Sequence, residues 1–179
     1  MDRFFSEENI DCHKQYVRDK RLKYSIIESS FPQLKGAKIE DIHRMRISQR
    51  DKRDAIDLLS EITLHEIYFS SFCECAYPRS GLVTDMYGNE SVFLNFLYRE
   101  CASLNYGFVC VYLYGKRIAV AKHSSCERAL YSGTPVLAVD VCEHAYFTDY
   151  GFDKQRYLIQ SLPYLNLAKL SVPDRSDGE

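Results

Sequence analysis

The clearest chemical pattern in the sequence is a carboxylate followed four residues later by an imidazole, Asp140 and His144. Residues 135–141 are mostly apolar and β-branched, which predicts a buried strand with Asp140 near its end. Burying an unpaired carboxylate is costly, so Asp140 needs a cation or several hydrogen-bond donors. Imidazole and carboxylate together suit zinc, iron, manganese and similar ions. The same pair is also typical of an ordinary salt bridge or hydrogen bond, and both interpretations stay open at this point.

Two long helices are predicted in the first half of the chain. Apolar residues recur at helical spacing from about residue 6 to 30, and again from about residue 51 to 76. Phe31-Pro32 ends the first helix, because proline disfavours the helical conformation in the residue before it. A polar connection, residues 33–49, leads to the second helix. This arrangement predicts an antiparallel helical hairpin.

Strands and shorter helices are predicted beyond Pro78-Arg79-Ser80-Gly81, which marks the predicted domain boundary. Gly115-Lys116 is a hairpin signal between two apolar runs. The predicted strands are residues 108–114, 118–121 and 135–141. The predicted helices are residues 90–104, 143–150 and 154–167. Residues 124–134 are predicted to form a loop, either without regular structure or with a short helical turn.

These elements predict an α+β fold. An N-terminal antiparallel helical hairpin, residues 1–77, is followed by a small α/β domain, residues 82–170, with a three-stranded antiparallel sheet flanked by helices. Residues 171–179 are predicted to form a disordered tail. An apolar fraction of 46% and an aromatic fraction of 13% are ample for a hydrophobic core.

Charge and cysteine content limit the partners and the compartment. The net charge of −2 argues against a general role on nucleic acid or membrane surfaces, and the basic stretch at residues 43–53 is interpreted as a solvated loop and helix start. The seven cysteines are odd in number and match no standard disulfide framework, so free thiols are expected. No targeting segment or membrane-spanning stretch is recognised, which predicts a soluble protein of the cytoplasm.

Residues 134–150, TPVLAVDVCEHAYFTDY, resemble the signature of the iron/manganese superoxide dismutases. That signature runs Thr-Pro-Leu-Leu, then Asp-x-Trp-Glu-His-Ala-Tyr, and shortly afterwards Asp-Tyr. Cys142 stands where the family has tryptophan, and the chain contains no tryptophan at all. The resemblance implies that Asp140 and His144 are metal ligands.

Two earlier segments extend the resemblance. His65 and Phe69 are similar to the family's Asn-His-x-x-x-Trp helix, which implies that His65 is a third ligand. Ser6 to His13 fits the spacing of the family's first ligand without a gap, which implies His13 as the fourth. A second alignment remains open, in which Glu8 takes the ligand position and His13 lies outside the ligand set. In the preferred alignment the resemblance implies one iron or manganese ion per chain.

The residues around the ligands depart from the family pattern. The resemblance implies that Arg21 replaces a tyrosine at the gate of the substrate channel, and that Glu61 takes the place of a glutamine that contacts the metal-bound solvent. Glu143 and His144 match a pair that bridges two subunits in the family, which implies a homodimer.

The resemblance implies conversion of superoxide to dioxygen and hydrogen peroxide, with superoxide or another small molecule as substrate. Two alternatives remain. The altered channel, with Val17 and Arg21, is also compatible with a metal-dependent oxidoreductase acting on an organic substrate or dioxygen. The second alternative is a non-catalytic structural subunit of a larger assembly.

Overall fold

A helical first half leads into a mixed second half built around a small sheet. The computed structural model describes residues 4–171. Its helices are α1 (Glu7–Ser30), α2 (Ile39–Arg44), α3 (Gln49–Ser70), α4 (Gly81–Tyr87), α5 (Glu90–Ser103), α6 (Cys126–Tyr131), α7 (Phe147–Tyr150) and α8 (Lys154–Ser161). Its strands are β1 (Phe108–Tyr114), β2 (Arg117–His123) and β3 (Leu137–Asp140). Short 3₁₀ helices cover Pro32–Leu34, Glu143–Ala145, Leu162–Tyr164 and Leu167–Leu170.

The long helices α1 and α3 form the predicted antiparallel hairpin. Ser6 caps α1, because its hydroxyl oxygen accepts a hydrogen bond from the Asn9 N–H at 3.0 Å. Near the start of α1, the ring of His13 lies 4.9 Å from that of Phe69 at the end of α3. Near the end of α1, Ile27 instead packs in the cluster that contains Ile56, close to the start of α3. The two helices therefore run in opposite directions.

The connection between these helices is more ordered than its polar composition predicts. Ile39 and Ile42 lie three residues apart on α2 and are buried, together with Leu34, against Ala55 and Ile56 of α3. Two isoleucines at helical spacing suffice to hold a short helix on a neighbouring apolar face. The predicted polar connection over residues 33–49 therefore contains a short helix that was not predicted.

The second long helix ends at Ser70, six residues before the predicted end. Beyond it the backbone pairs with a distant segment: the Cys73 N–H donates to the Tyr164 carbonyl at 2.9 Å, and the Tyr77 N–H donates to the Pro163 carbonyl. These long-range hydrogen bonds replace the intrahelical ones. Periodicity within residues 70–76 could not reveal them.

The sheet has the order β2-β1-β3 with antiparallel pairing throughout. β1 pairs with β3 so that Phe108 lies opposite Asp140, and Gly115, at φ +59°, closes the turn between β1 and β2. At the start of β1, Gly107 has φ +115°, and a Cβ there would lie 2.0 Å from the His123 carbonyl oxygen. Only glycine fits this position. The predicted α+β fold with a three-stranded antiparallel sheet is confirmed.

The predicted number and bounds of the helices from Gly81 onward also differ from those in the structure. α4 lies directly beyond the predicted boundary and was missed, although the Ser80 hydroxyl caps it by accepting from the Val83 N–H. α8 stops at Ser161, ahead of Pro163, so the predicted helix over residues 154–167 is too long.

One hydrophobic cluster joins Ile10 and Leu64 of the helical hairpin with Val109 and Val139 of the sheet. The two halves thus share a core, and the division into residues 1–77 and 82–170 stays a prediction. The predicted tail, residues 171–179, lies outside the described residues apart from Ser171. None of the seven cysteines is paired in a disulfide, as expected. Within residues 4–171, every helix is too short or too polar to cross a bilayer.

Candidate metal centre

Four side chains from four separate elements meet between the helical hairpin and the sheet. His13 comes from α1 and His65 from α3, Asp140 ends β3, and His144 lies in the following 3₁₀ helix. One nitrogen or oxygen atom of each residue lies within 4.8 Å of those of the other three. These are the same four residues that the resemblance implies as metal ligands.

Backbone and side-chain contacts bring these elements together. The Asn9 amide of α1 donates to the Ala145 carbonyl at 2.9 Å, which ties the first helix to the segment that carries His144. The Ala138 N–H of β3 donates to the Ser71 hydroxyl at 2.9 Å, which ties the strand to the end of α3. Each ligand-bearing element is thus fixed to a neighbour by a contact outside the cluster.

The distances within the cluster match those between the ligands of one metal ion. Asp140 Oδ2 lies 3.0 Å from His144 Nε2 and 3.4 Å from the Nε2 atoms of both His13 and His65. His65 Nε2 and His144 Nε2 are 3.1 Å apart. An ion about 2.1 Å from each donor separates neighbouring donors by about 3.0 to 3.6 Å at ordinary coordination angles. A single ion therefore fits among these atoms.

The hydrogen-bond pattern also fits a cation. Asp140 is fully buried, and its Oδ1 accepts from the Cys142 N–H at 2.8 Å, whereas Asp140 Oδ2 and His13 Nε2 have no hydrogen-bond partner. His65 Nδ1 donates to the Glu61 carbonyl at 2.6 Å, so the Nε2 lone pair of the neutral ring faces the cluster. Buried acceptors directed at one another are unfavourable unless a positive charge lies between them. The four residues could therefore hold a metal ion.

The electrostatics of the cluster favour protonation states suited to binding a metal. Burial alone would raise the pKa of Asp140, but the three imidazoles that face it hold that pKa well below its usual range. Burial lowers the pKa of His13. For His65, burial acts in the same direction, but Asp140 and the Glu61 carbonyl outweigh it and raise the pKa. A charged carboxylate and a neutral His13 are the forms that coordinate metals.

A cavity of about 250 Å³ lies against the cluster, with His65 and His144 in its wall. Tyr16 covers one side, because its ring stacks on that of His144 with centroids 4.2 Å apart and an interplanar angle of 17°. The hydroxyl of Tyr16 donates to Glu61 Oε2 at 3.1 Å, and the Lys20 ammonium lies 2.5 Å from the same oxygen. Glu61, expected beside the site, therefore does line the cavity.

Two other residues considered from the sequence lie elsewhere. Arg21 pairs with Glu66 on the surface, both side chains are 53% exposed, and Arg21 is not part of the cavity wall. The expected gate role of Arg21 stays a prediction, and this placement gives it no support. Glu8 is also exposed, whereas His13 is buried in the cluster, so the geometry favours the alignment with His13 as ligand.

Two cysteines lie close in sequence to the proposed ligands: Cys12 precedes His13, and Cys142 lies between Asp140 and His144. Cys142 is buried, and its sulfur accepts from the Gly107 N–H at 3.2 Å, so it packs against the turn that begins β1. Burial raises the pKa of the Cys142 thiol, which stays protonated. Cys12 is exposed.

Sequence reasoning gave no definite role to Tyr16 or to the cavity residues Asp57, Tyr106 and Glu127. The second alignment places Tyr16 at the family's gate tyrosine, and Glu127 lies in the stretch where some members of the family have their glutamine. A signal for Tyr16 existed, since a residue three positions after His13 lies on the same side of a helix. The other three come from α3, from the turn before β1 and from α6. Only the folded structure brings these segments to one cavity.

Residues 82–171, about half of the chain, match the C-terminal domain of the iron/manganese superoxide dismutases. The match includes Asp140 and His144, while His13 and His65 precede it. No curated protein matches the chain. The family uses a metal cofactor, and the His/Asp cluster is the candidate site for it. The matched domain, together with the fold, shows that the chain belongs to the iron/manganese superoxide dismutase family.

Proposed function

We propose that His13, His65, Asp140 and His144 hold one iron or manganese ion and that the protein converts superoxide to dioxygen and hydrogen peroxide. The observation that supports this most directly is the convergence of four donor atoms, two of which are buried without a hydrogen-bond partner. Two superoxide anions and two protons yield one dioxygen and one hydrogen peroxide. A bound ion supplies the two accessible oxidation states that this exchange of electrons needs.

The residues around the ligands hold them in place. Asp140 is anchored at both ends, since its Oδ1 accepts from the Cys142 N–H and its backbone carbonyl accepts from the Tyr157 hydroxyl at 2.9 Å. The Glu61 carbonyl sets the orientation of His65, and the Tyr16 ring sets that of His144. Such contacts outside the ligand set determine how strongly a metal is bound and how it is tuned.

Tyr16 and Glu61 provide polar groups at the inner side of the cavity. Burial, followed by the neighbouring Glu61 charge, raises the pKa of the Tyr16 phenol, which therefore keeps its proton near neutral pH. The hydroxyl is a hydrogen-bond donor to Glu61 and lies beside the space where a small substrate would enter. We assign this pair the task of ordering hydrogen bonds in the cavity.

Metal analysis combined with an activity assay tests the proposal. The purified chain should contain close to one iron or manganese ion and should remove superoxide faster than the free ion at the same concentration. A chain that binds no metal under any loading condition would contradict the proposal and would favour a structural subunit of a larger assembly.

A second candidate function is supported by the charge of the cavity. Asp57, Glu61 and Glu127 line it, and no lysine or arginine among residues 4–171 does. An anion entering this space is repelled, whereas an uncharged organic molecule is not. One metal ion per chain with superoxide removal near background would favour a metal-dependent oxidoreductase acting on such a molecule.

A further inference from the structure

The cavity beside the metal centre carries an excess of negative charge. Of its three carboxylates, Glu61 is paired with Lys20 at 2.5 Å, and Glu127 lies 3.8 Å from the imidazole of His43. Asp57 forms no ion pair with any residue in the described part of the chain. Lys20 offsets one of these charges, and Lys52 and Arg53 lie with Glu127 around a neighbouring cavity. The wall itself contains three carboxylates and no lysine or arginine from the described part of the chain.

This cavity is the exposed approach to the ligand atoms. His13, His65 and Asp140 are at most 2% exposed, whereas the side chain of His144 is 25% exposed and faces the cavity. Asp140 Oδ2 lies behind His144, 3.0 Å from His144 Nε2. This oxygen is fully buried and has no hydrogen-bond partner among the described residues. The acidic wall thus leads to an unsatisfied buried carboxylate.

We propose that the acidic cavity is the loading route of the metal, in which Asp57 and Glu127 concentrate hydrated divalent cations in front of His144 and speed their uptake. This inference rests on the proposed metal site. A hexahydrated ion needs about 180 Å³ at about 30 Å³ per water, which the cavity of about 250 Å³ accommodates.

The charge of the ion makes this effect larger than for a monovalent substrate. A divalent cation interacts with each carboxylate twice as strongly as a singly charged molecule does, and low-dielectric walls strengthen the field inside a cleft. Glu61 is already engaged by Tyr16 and Lys20, which leaves Asp57 and Glu127 as the groups available to attract the ion. Asp57 and Glu127 would act while the ion enters, before any catalysis. The rate of metal uptake therefore reports their effect without an activity assay.

The test follows the uptake of Mn²⁺ by the full chain after removal of metal with a chelator. Loss of the paramagnetic resonance signal of aqueous Mn²⁺ reports the rate and the final stoichiometry. The double variant Asp57→Asn, Glu127→Gln should take up Mn²⁺ roughly tenfold more slowly at low ionic strength, with an unchanged final amount. The control pair Asp85→Asn, Glu28→Gln removes one exposed and one half-buried carboxylate outside the cavity and should change the rate less than about twofold.

The unmodified chain supplies a second measurement that does not depend on the folding of a variant. Its Mn²⁺ uptake should slow by several-fold between about 0.01 M and about 0.15 M salt, as the Debye length falls from about 30 Å to about 8 Å. An uptake rate that does not change with salt concentration would overturn the loading route, and so would variants that take up Mn²⁺ as fast as the unmodified chain. In either case, a final amount of one ion per chain would still support the metal site. No uptake by any protein would overturn both.

Discussion

The ring of Tyr16 lies parallel to that of His144, 4.2 Å away, while its hydroxyl donates to Glu61. Tyr16 therefore contacts one proposed ligand directly. It reaches a second, His65, through Glu61, whose backbone carbonyl accepts from the His65 ring. The preferred alignment with the family places the gate at Arg21, further along α1, whereas the second alignment places it at Tyr16. In the folded chain the aromatic residue of α1 in the cavity wall is Tyr16, and Arg21 is paired with Glu66 at the surface.

Removing the Tyr16 hydroxyl should weaken activity without loss of metal. In Tyr16→Phe the stacking on His144 remains, but Glu61 loses a hydrogen bond worth about 1 kcal/mol. We expect superoxide removal per bound ion to fall about fivefold, measured by stopped-flow kinetics alongside metal analysis. Tyr24→Phe is the matched control, because the Tyr24 hydroxyl donates to the Leu34 carbonyl, far from the cavity. Equal activity in both variants would show that the Tyr16 hydroxyl has no role.

Replacing the buried carboxylate should abolish metal binding and leave the fold intact. In Asp140→Asn the amide oxygen can still accept from the Cys142 N–H, but the negative charge that faces three imidazoles is lost. We expect affinity for Mn²⁺ to fall at least about a hundredfold, because the carboxylate is the only charged ligand in the set. Titration calorimetry measures this, and circular dichroism checks the fold. Asp85→Asn is the control, and affinity close to that of the unmodified chain in Asp140→Asn would contradict the proposed site.

Much of the fold follows from local sequence patterns, because it depends on periodicity and on turn residues. The α1–α3 hairpin is marked by helical spacing and by Pro32, and the β1–β2 hairpin by Gly115. The short helix α2 and the early end of α3 escaped prediction for a different reason. Both are determined by distant partners, the apolar face around Ile56 in one case and the backbone at residues 163–164 in the other.

The metal centre could be predicted from local sequence, whereas most of the cavity beside it could not. Each of the four clustered residues lies in a recognisable stretch of the family pattern, so their identity could be proposed before their positions were known. The cavity wall has no such marker. Asp57 and Glu127 come together only because α3 packs against α6, and that contact is set by the fold as a whole. The acidic character of the cavity was therefore invisible in a chain whose net charge is only −2.

The salt dependence of superoxide removal should reveal the charge of the cavity. Superoxide is an anion, so the carboxylates of the wall slow its approach, and salt screens that repulsion. We expect kcat/KM to rise roughly two- to fivefold between about 0.01 M and about 0.15 M ionic strength. Glu127→Gln should raise the low-salt rate and flatten the salt response, whereas Glu28→Gln should do neither. A rate that falls with salt would mean that the positive charge of a bound ion dominates the approach.

The surface beside His144 has features that favour association of two chains. Glu143 is exposed, and its side chain has no hydrogen bond or ion pair with any other described residue. On the same stretch Phe147 and Phe152 form an exposed aromatic pair, with ring centroids 5.1 Å apart and Phe152 82% exposed. Exposed aromatic side chains of this kind are favoured at the centres of protein interfaces. We propose that two chains associate here, as the Glu143–His144 pair implies.

Sedimentation of the full chain should therefore give twice the 20.8 kDa of one chain. Phe152→Ala should weaken the dimer at least about tenfold, since a buried aromatic anchor contributes more than about 1 kcal/mol to an interface. Ile159→Ala provides the comparison, because Ile159 is also exposed, at 62%, but lies on α8 away from His144. Dissociation of the Ile159 variant instead would place the interface on α8. A monomer at all concentrations would remove the dimer from the proposal and leave the metal site, which is built entirely from one chain, unaffected.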